Sequence, residues 1–479
     1  MDKLTKKNLY EICEQLNIVK YKSKTKAELI ELIDKNQNKN KEDNCHLDSK
    51  NKLNIENSTY DILKDLYDNV LNVDKSTFQS TNDEPTPIKC IEEMLNKIPE
   101  DLWKDKNIKI LDPCCGNGNF SLCILYKLLK YHNMKHIMEN MLYFNDINKN
   151  RLSNVEKIFC NDKFLLNITD KDYTIFDENV KYDLIVANPP YAKILENGKR
   201  ASKNHNLISV FLEKTLSLLK KDGYLLFITP DNWMSYADRN TLIKRITQLQ
   251  IIHLDIHNAK KHFKKIGSSF TWYIIQNKKN YKDINISGIW KNKYYESQVP
   301  SIGRSYIPLF YNKTIYDILL KTIDNENLTK FNVQTSSDLH KYTKSQFIND
   351  KENEVYKYKL IHTPTQTVWS SKPHKYQDGY KVFISTTNKY KVFVDNCGMT
   401  QSILFISCKN KNEAELYEKL LNHPLYIFIN NICRWGNFNN IRIIQHFPFP
   451  NINYSGNINE IYNYFNINEQ EINFINENL

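Results

Sequence analysis

An α/β fold is predicted by three stretches of this 479-residue sequence. Ile108-Lys109-Ile110-Leu111-Asp112-Pro113-Cys114-Cys115-Gly116-Asn117-Gly118-Asn119-Phe120 passes from an apolar strand through a glycine loop into a helix. Residues 141–144 form a second apolar run, closed by Asn145-Asp146. Tyr182-Asp183-Leu184-Ile185-Val186-Ala187-Asn188-Pro189-Pro190-Tyr191 reads as a buried strand that stops at two prolines, neither of which has an N–H to continue a ladder. Strands alternating with helices imply a parallel sheet, and ligands of such sheets bind beyond the carboxyl ends of the strands.

Taken in order, residues 4–36 carry two apolar sets, Leu9, Ile12, Cys13, Leu16 and Leu29, Ile30, Leu32, Ile33, around a basic turn with Lys20, Lys22 and Lys24. Thr25-Lys26-Ala27-Glu28 is a capping-box pattern for the second helix. The pair fits a generic helical hairpin as well as it fits a small DNA-binding unit similar to a SAP module. Residues 37–57 are rich in Asn, Lys, Asp and Ser and read as a flexible linker. Helical periodicity returns at 59–71 through Tyr60, Leu63, Leu66, Tyr67 and Val70. Thr86 is placed to cap the next helix, with Pro87 in its first turn and Ile88, Ile91, Met94 and Leu95 on its apolar face.

The chain has only 11 glycines, yet Gly116 and Gly118 sit one residue apart. Glycine is needed where backbone turns sharply or meets a ligand closely, and a glycine loop leading into a helix suits a nucleotide-like ligand. No third glycine completes a dinucleotide fingerprint, and no Gly-Lys-Ser/Thr follows to make a phosphate loop. Asp146 stands where a ribose-diol ligand is expected. A third strand is expected at residues 158–160, ending in Asp162, with Phe164 near enough to stack on a base. Each acid alone is more often a solvated strand end; their order along the chain favours a binding site.

Downstream, a helix over residues 207–221 should end at Gly223, followed by a strand over 224–229. Residues 251–256 and 270–276 should pair as a hairpin. Beyond 281 aromatics interleave with cations: Trp290, Lys291, Lys293, Tyr294, then Trp369, Lys372, His374, Lys375, Tyr376, Tyr380 and Lys381. That mixture suits phosphate and base contacts, or equally a basic surface over an aromatic core. An amphipathic helix pair is expected around Pro424, and a small helical tail over 456–479.

Composition narrows the class. Hydrophobic residues make up 41% and charged residues 25%, as in a globular protein. Lys+Arg 66 against Asp+Glu 55 leaves +11, which suits a polyanionic partner. The 10 cysteines show no CxxC pair and no metal-ligand spacing with histidine, so free thiols and no metal are expected. No apolar run reaches the ~20 residues of a membrane span, and residues 1–7 have no signal-peptide core. A soluble intracellular protein, cytoplasmic or nuclear, is the expectation.

Asp-Pro-x-x-Gly-x-Gly-x-Phe at 112–120, Asp146, Asp162 and Asn-Pro-Pro-Tyr at 188–191, in that order, resemble the TaqI-type N6-adenine DNA methyltransferases. The resemblance implies a class I Rossmann-like core over 58–280 and a carboxy-terminal α+β target-recognition domain over 281–455. It implies S-adenosyl-L-methionine as cofactor, held by Thr86, Asp112, Pro113, Gly116, Gly118, Phe120, Asp146, Ile147, Asp162 and Phe164. It also implies double-stranded DNA as partner and methyl transfer to the N6 amine of a flipped-out adenine. Asn188 and the Pro189 carbonyl would accept the amine protons within the rigid turn that Pro190 completes. Tyr191 and Phe263 would stack on the base. Adenine in RNA, or a protein glutamine amide, are rival substrates, and a DNA-binding scaffold is the non-enzymatic rival. No Asp…Glu-x-Lys nuclease cluster is evident.

Overall fold

Apolar runs at the predicted positions become the strands of the structure, a computed structural model. It describes Leu9, residues 25–31, 33, 53–74, 84–160, 162–191, 207–238, 240–263, 269–301, 303–387 and 389–479. Two compact units are distinguished, Met1–Asp177 and Glu178–Leu479. Among the described residues no helix is long and apolar enough to cross a membrane, and no group of acidic, Cys or His side chains could hold a metal ion.

In the first unit, β1 (Ile110–Asp112), β2 (Leu142–Asn145) and β3 (Asn167–Thr169) pair in parallel in the order β3-β2-β1. Around them lie α1 (Tyr60–Leu66), α2 (Ile88–Leu95), α3 (Asn119–Leu128) and α4 (Lys149–Val155). β3 is not where the sequence placed it. Residues 158–160 continue α4 through a wider helical turn, Glu156–Cys160. A short apolar run does not distinguish strand from helix. Here Leu152, Val155, Ile158 and Phe159, all buried, complete one helical stripe.

Three further expectations are adjusted. Pro87, not Thr86, precedes α2, and no side chain caps it; the Thr86 carbonyl instead accepts from Asn119 Nδ2 at 2.9 Å. Residues 54–57, expected at the end of a flexible linker, form a turn closed by Asn54 and Asn57, and the Ile55 amide donates to the Ile158 carbonyl at 3.0 Å. Near the amino terminus residues 26–31 are helical and the capping box is present, with the Thr25 amide donating to Glu28 at 2.7 Å. Leu9, Leu29 and Ile33 are buried, while Ile12, Cys13, Leu16 and Leu32 lie outside the described residues.

The second unit holds β4 (Tyr182–Ala187), β5 (Leu219–Pro230), β6 (Leu249–Ile256), β7 (Phe270–Lys279), β8 (Ile284–Trp290) and β9 (Lys293–Val299) in the order β4-β5-β7-β6-β8-β9. β4 and β5 are parallel, and β7 runs antiparallel to both β5 and β6, so the predicted hairpin forms. Leu184 to Ala187 are fully buried, as a strand covered on both faces requires. α5 (Leu207–Leu218) buries Ile208, Phe211, Leu212 and Leu216, each worth roughly 1.5–3 kcal/mol when fully removed from water. The helix stops three residues early because the chain folds straight into β5. At Gly223 an added Cβ would lie 3.1–3.2 Å from the carbonyl oxygens of Lys220, Tyr182 and Asp183.

Past residue 280 the sheet continues, with β8 parallel to β6 and β9 antiparallel to β8. Lys291 and Asn292 both have positive φ and make a two-residue hairpin turn. The remaining chain adds α6 (Lys313–Lys321), a four-stranded and a three-stranded sheet over residues 348–407, and the helix pair α7 (Lys411–Leu421) and α8 (Pro424–Ile432) with Pro424 in the first turn. α9 (Ile441–Gln445), α10 (Ile458–Tyr464) and α11 (Glu469–Asn478) follow, the last two forming the expected helical tail.

Across the β8–β9 hairpin Gly288 pairs with Tyr295, whose ring would meet an added Cβ at 2.6–2.7 Å. The Tyr295 hydroxyl accepts from the Tyr311 amide, so the ring has no free direction in which to retreat. Gly288→Val should therefore cost about 1–3 kcal/mol, read as a lower urea midpoint at unchanged slope.

Candidate active site

In the first unit the candidate cofactor residues gather at the carboxyl edge of β3-β2-β1. Gly116 (φ 56°) and Gly118 (φ 89°) both adopt left-handed backbone, which glycine alone enters freely. At Gly116 an added Cβ would meet open space; at Gly118 it would lie 2.8 Å from the Phe159 ring. The loop is held from several sides. The Asp146 carboxylate accepts from the Gly116 and Asn148 amides, each at 2.8 Å. Asn145 Nδ2 donates to the Pro113 and Lys171 carbonyls, both at 2.9 Å. Tyr67 donates to the Asn117 carbonyl at 2.6 Å. Tyr67, Asn145 and Asn119 carry no ligand-binding signature in sequence. Their role appears only when residues far apart in the chain are brought together.

Asp112, at the end of β1, is 2% exposed, and neither carboxylate oxygen has a hydrogen-bond partner. The Cys114 amide and Ser121 hydroxyl lie near enough to oppose part of the rise in its proton affinity. Burial holds the Asp112 carboxyl well above the usual carboxylate range, and the adjacent Asp146 charge adds to this. A buried, orphaned acid beside an open glycine loop fits a ligand that carries an ammonium group. Ile147, next to Asp146, leaves 55% of its surface exposed. Asp162 has positive φ and is exposed, and Phe164 is half-buried. Pro113 and Phe120 belong to the loop and to the first turn of α3, and Phe120 is buried.

In the second unit the candidate substrate residues lie at the end of β4. Asn188 is half-buried, Pro189 buried and Pro190 exposed. The Tyr191 hydroxyl donates to Asn188 Oδ1 and lies 3.5 Å from the Ile228 carbonyl. Tyr191 is thus more than a stacking ring, because it fixes which way the amide oxygen points. Phe263 is 3% exposed and packs on Phe270 at 4.7 Å between ring centroids, and Phe270 packs on Tyr191 at 6.0 Å. A third ring, which the sequence did not single out, therefore links the two residues expected to face a base.

The interleaved basic and aromatic residues divide. His374 is buried against the Ser336 hydroxyl at 2.8 Å, and burial pushes its imidazole down to about 4. Lys381, 1% exposed, donates to the carbonyls of Asp378 (2.9 Å) and Gly379 (2.5 Å). Trp290 stacks on Phe310 and donates to Asn478. These three serve the fold. Tyr294, Lys372 and Lys375 stay on the exposed surface.

Comparison with known proteins gives a family description. Residues 116–263, from the glycine loop to Phe263, match the family model of the Eco57I restriction-modification methylase. Type II methyltransferase M.HincII of Haemophilus influenzae is 26% identical over 45% of this chain and 42% of its own length. An uncharacterized adenine-specific methylase of Mycoplasma pneumoniae is 25% identical over 54% of this chain and 82% of its own. The chain thus spans less than half the length of M.HincII. Among solved structures, the type IIG restriction endonuclease BpuSI is 12% identical with a TM-score of 0.43, covering 88% of this chain and 63% of its own. A DrdV–DNA complex gives 12% and 0.47, covering 85% and 58%. The resemblance drawn from the motifs, to restriction-modification adenine methylases, is the one these sequence matches carry.

Because Asp112 is buried with a raised proton affinity, a cationic ligand beside it should lower that affinity and expel a proton. Calorimetry of S-adenosylmethionine binding in buffers of different ionisation heat should show net proton release, and Asp112→Asn should abolish it.

Proposed function

We propose that this protein transfers a methyl group from S-adenosyl-L-methionine to the exocyclic N6 amine of an adenine extruded from double-stranded DNA, at a specific site. The observation that carries the proposal is the Asn188-Pro189-Pro190-Tyr191 turn, which ends a buried strand with an oriented amide oxygen. S-adenosylmethionine supplies a methyl on a sulfonium, reactive enough that no strong base is needed at the outset.

An adenine amine is a poor nucleophile because its lone pair is conjugated with the ring. Two acceptors, Asn188 Oδ1 and the Pro189 carbonyl, accept hydrogen bonds from its two N–H groups and let the nitrogen become more tetrahedral; one of those protons is lost to water after the methyl has transferred. Pro189 and Pro190 keep those oxygens fixed, so most of the rate comes from alignment and preorganised dipoles. Asp112 would hold the ammonium end of the cofactor, Asp146 its ribose and Ile147 one face of its base, with Asp162 and Phe164 completing that end. Tyr191 and Phe263 offset part of the few kcal/mol that extrusion costs, at ~1–3 kcal/mol per stacked ring. A net charge of +11 supports a nucleic-acid partner, and the likeness to an adenine-specific methylase of Mycoplasma pneumoniae supports adenine.

Incubation with methyl-labelled S-adenosylmethionine and DNA, RNA or protein tests the proposal directly. Label should enter DNA as N6-methyladenine; label in RNA or on glutamine alone would replace the substrate. Asn188→Ala should lower turnover by more than about a hundredfold while leaving cofactor affinity within about twofold, as expected for an interaction made in the transition state. A variant retaining a tenth of wild-type turnover would remove Asn188 from the chemistry.

A further inference from the structure

We infer that Phe438 enters the base stack of the target duplex and fills the space that the extruded adenine leaves. The inference rests on the base-extrusion reading above and adds a residue to it. Phe438 is 64% exposed, the one phenylalanine among the described residues with more than half its surface in water. A single exposed apolar residue is ordinary in itself. What sets this one apart is how firmly its backbone is held. Gly436 turns the chain with φ 79°, and the Arg434 guanidinium donates to the Asn437 carbonyl at 2.8 Å. Phe438 itself bridges Thr387. Asn439, 2% exposed, donates through Nδ2 to the Ser385 carbonyl and through its amide to the Thr386 carbonyl, both at 2.8 Å, and accepts from Asn430. Asn440 donates to the Ser235 hydroxyl at 3.0 Å and to the Tyr236 carbonyl at 3.1 Å. Such a loop presents a ring to solvent without letting it fold back onto the protein.

Its position and charge name the partner. Ser235 and Tyr236 follow the end of β5, the strand beside β4, which carries Asn188. The loop is therefore tied to the segment that leaves the sheet at the same edge as the catalytic turn. A groove of about 550 Å³ opens there, with Tyr236, Thr335, Trp435, Phe438 and Ile441 among its walls. The turn that pairs with Phe438 carries exposed Lys389 and Lys391. An apolar wedge with two cations on the turn beside it fits a base step and its phosphate; apolar wedges inserted between bases are an established way to open a duplex.

The test uses the whole protein and an oligonucleotide duplex carrying the site that wild type modifies in plasmid DNA. Phe438→Ala should melt within a few degrees of wild type, since the ring is mostly in water. It should lose about tenfold or more in kcat/KM on the fully paired duplex, the scale of one lost ring–base contact. On the same duplex with an abasic site opposite the target adenine, where extrusion is cheaper, it should recover to within about threefold of wild type. Phe438→Trp should keep most of the activity on both. Equal activity of wild type and Phe438→Ala on the paired duplex would overturn the wedge and leave the methylation reading standing. An equal loss on both duplexes would also overturn it, by assigning Phe438 to some other contact. Failure of the wild type to methylate adenine in any DNA would sink the underlying reading, and the wedge with it.

Discussion

Where a strand ends, its backbone N–H and C=O groups lose their ladder partners, and each must find another. Much of the candidate site answers that constraint. At the end of β2, Asn145 and Asp146 satisfy carbonyls and amides from the two neighbouring strand ends, and in doing so they set the shape of the glycine loop. At the end of β4 the constraint is met by omission, since Pro189 and Pro190 have no N–H to satisfy. Asparagine does similar work elsewhere: Asn439 and Asn440 pin the 434–440 loop, and Asn240 holds the Trp233 and Ser235 carbonyls. A side chain that can donate and accept at once suits a place where both kinds of backbone group are left over.

One consequence concerns how Asp146 is to be understood. A carboxylate at this position is expected to meet a ribose, yet here it already braces two amides. Four acceptor sites allow both duties. The same holds for Tyr191, whose hydroxyl orients Asn188 while its ring packs on Phe270. Site residues with a structural duty are hard to probe by deletion alone. Loss of Asp146 removes a loop brace as well as the proposed ligand contact.

Much of the fold was legible because its signals were local. Leu184 to Ala187 could only be a covered strand, Gly116 and Gly118 could only be a turn, and the helix pair around Pro424 follows from periodicity. What escaped notice depended on tertiary context. Residues 158–160 are too few to declare a period, and their helical stripe appears only with Leu152 and Val155 included. Thr86 had a cap's side chain but is used for its carbonyl. His374 and Lys381 looked like surface cations because sequence does not report burial; each turned out to be hydrogen-bonded inside the fold. Tyr67 and Phe270 were missed for a related reason. An aromatic residue at helical or strand spacing reads as core, and only the folded chain shows which core rings touch a site.

The outermost strand of the second unit's sheet has a further property. Among the described residues β9 has no neighbour beyond it in the strand order, so one row of its backbone groups has no ladder partner there. An exposed strand edge is a template on which another chain can add. Here the strand is seven residues long, carries exposed Lys293, Tyr294 and Glu296, and turns through Lys291 and Asn292 at its start. Charge on a short edge is a known defence against edge-to-edge growth. The hairpin that completes the sheet thus also guards it against polymerisation, a duty that would outlast any change in what the enzyme recognises.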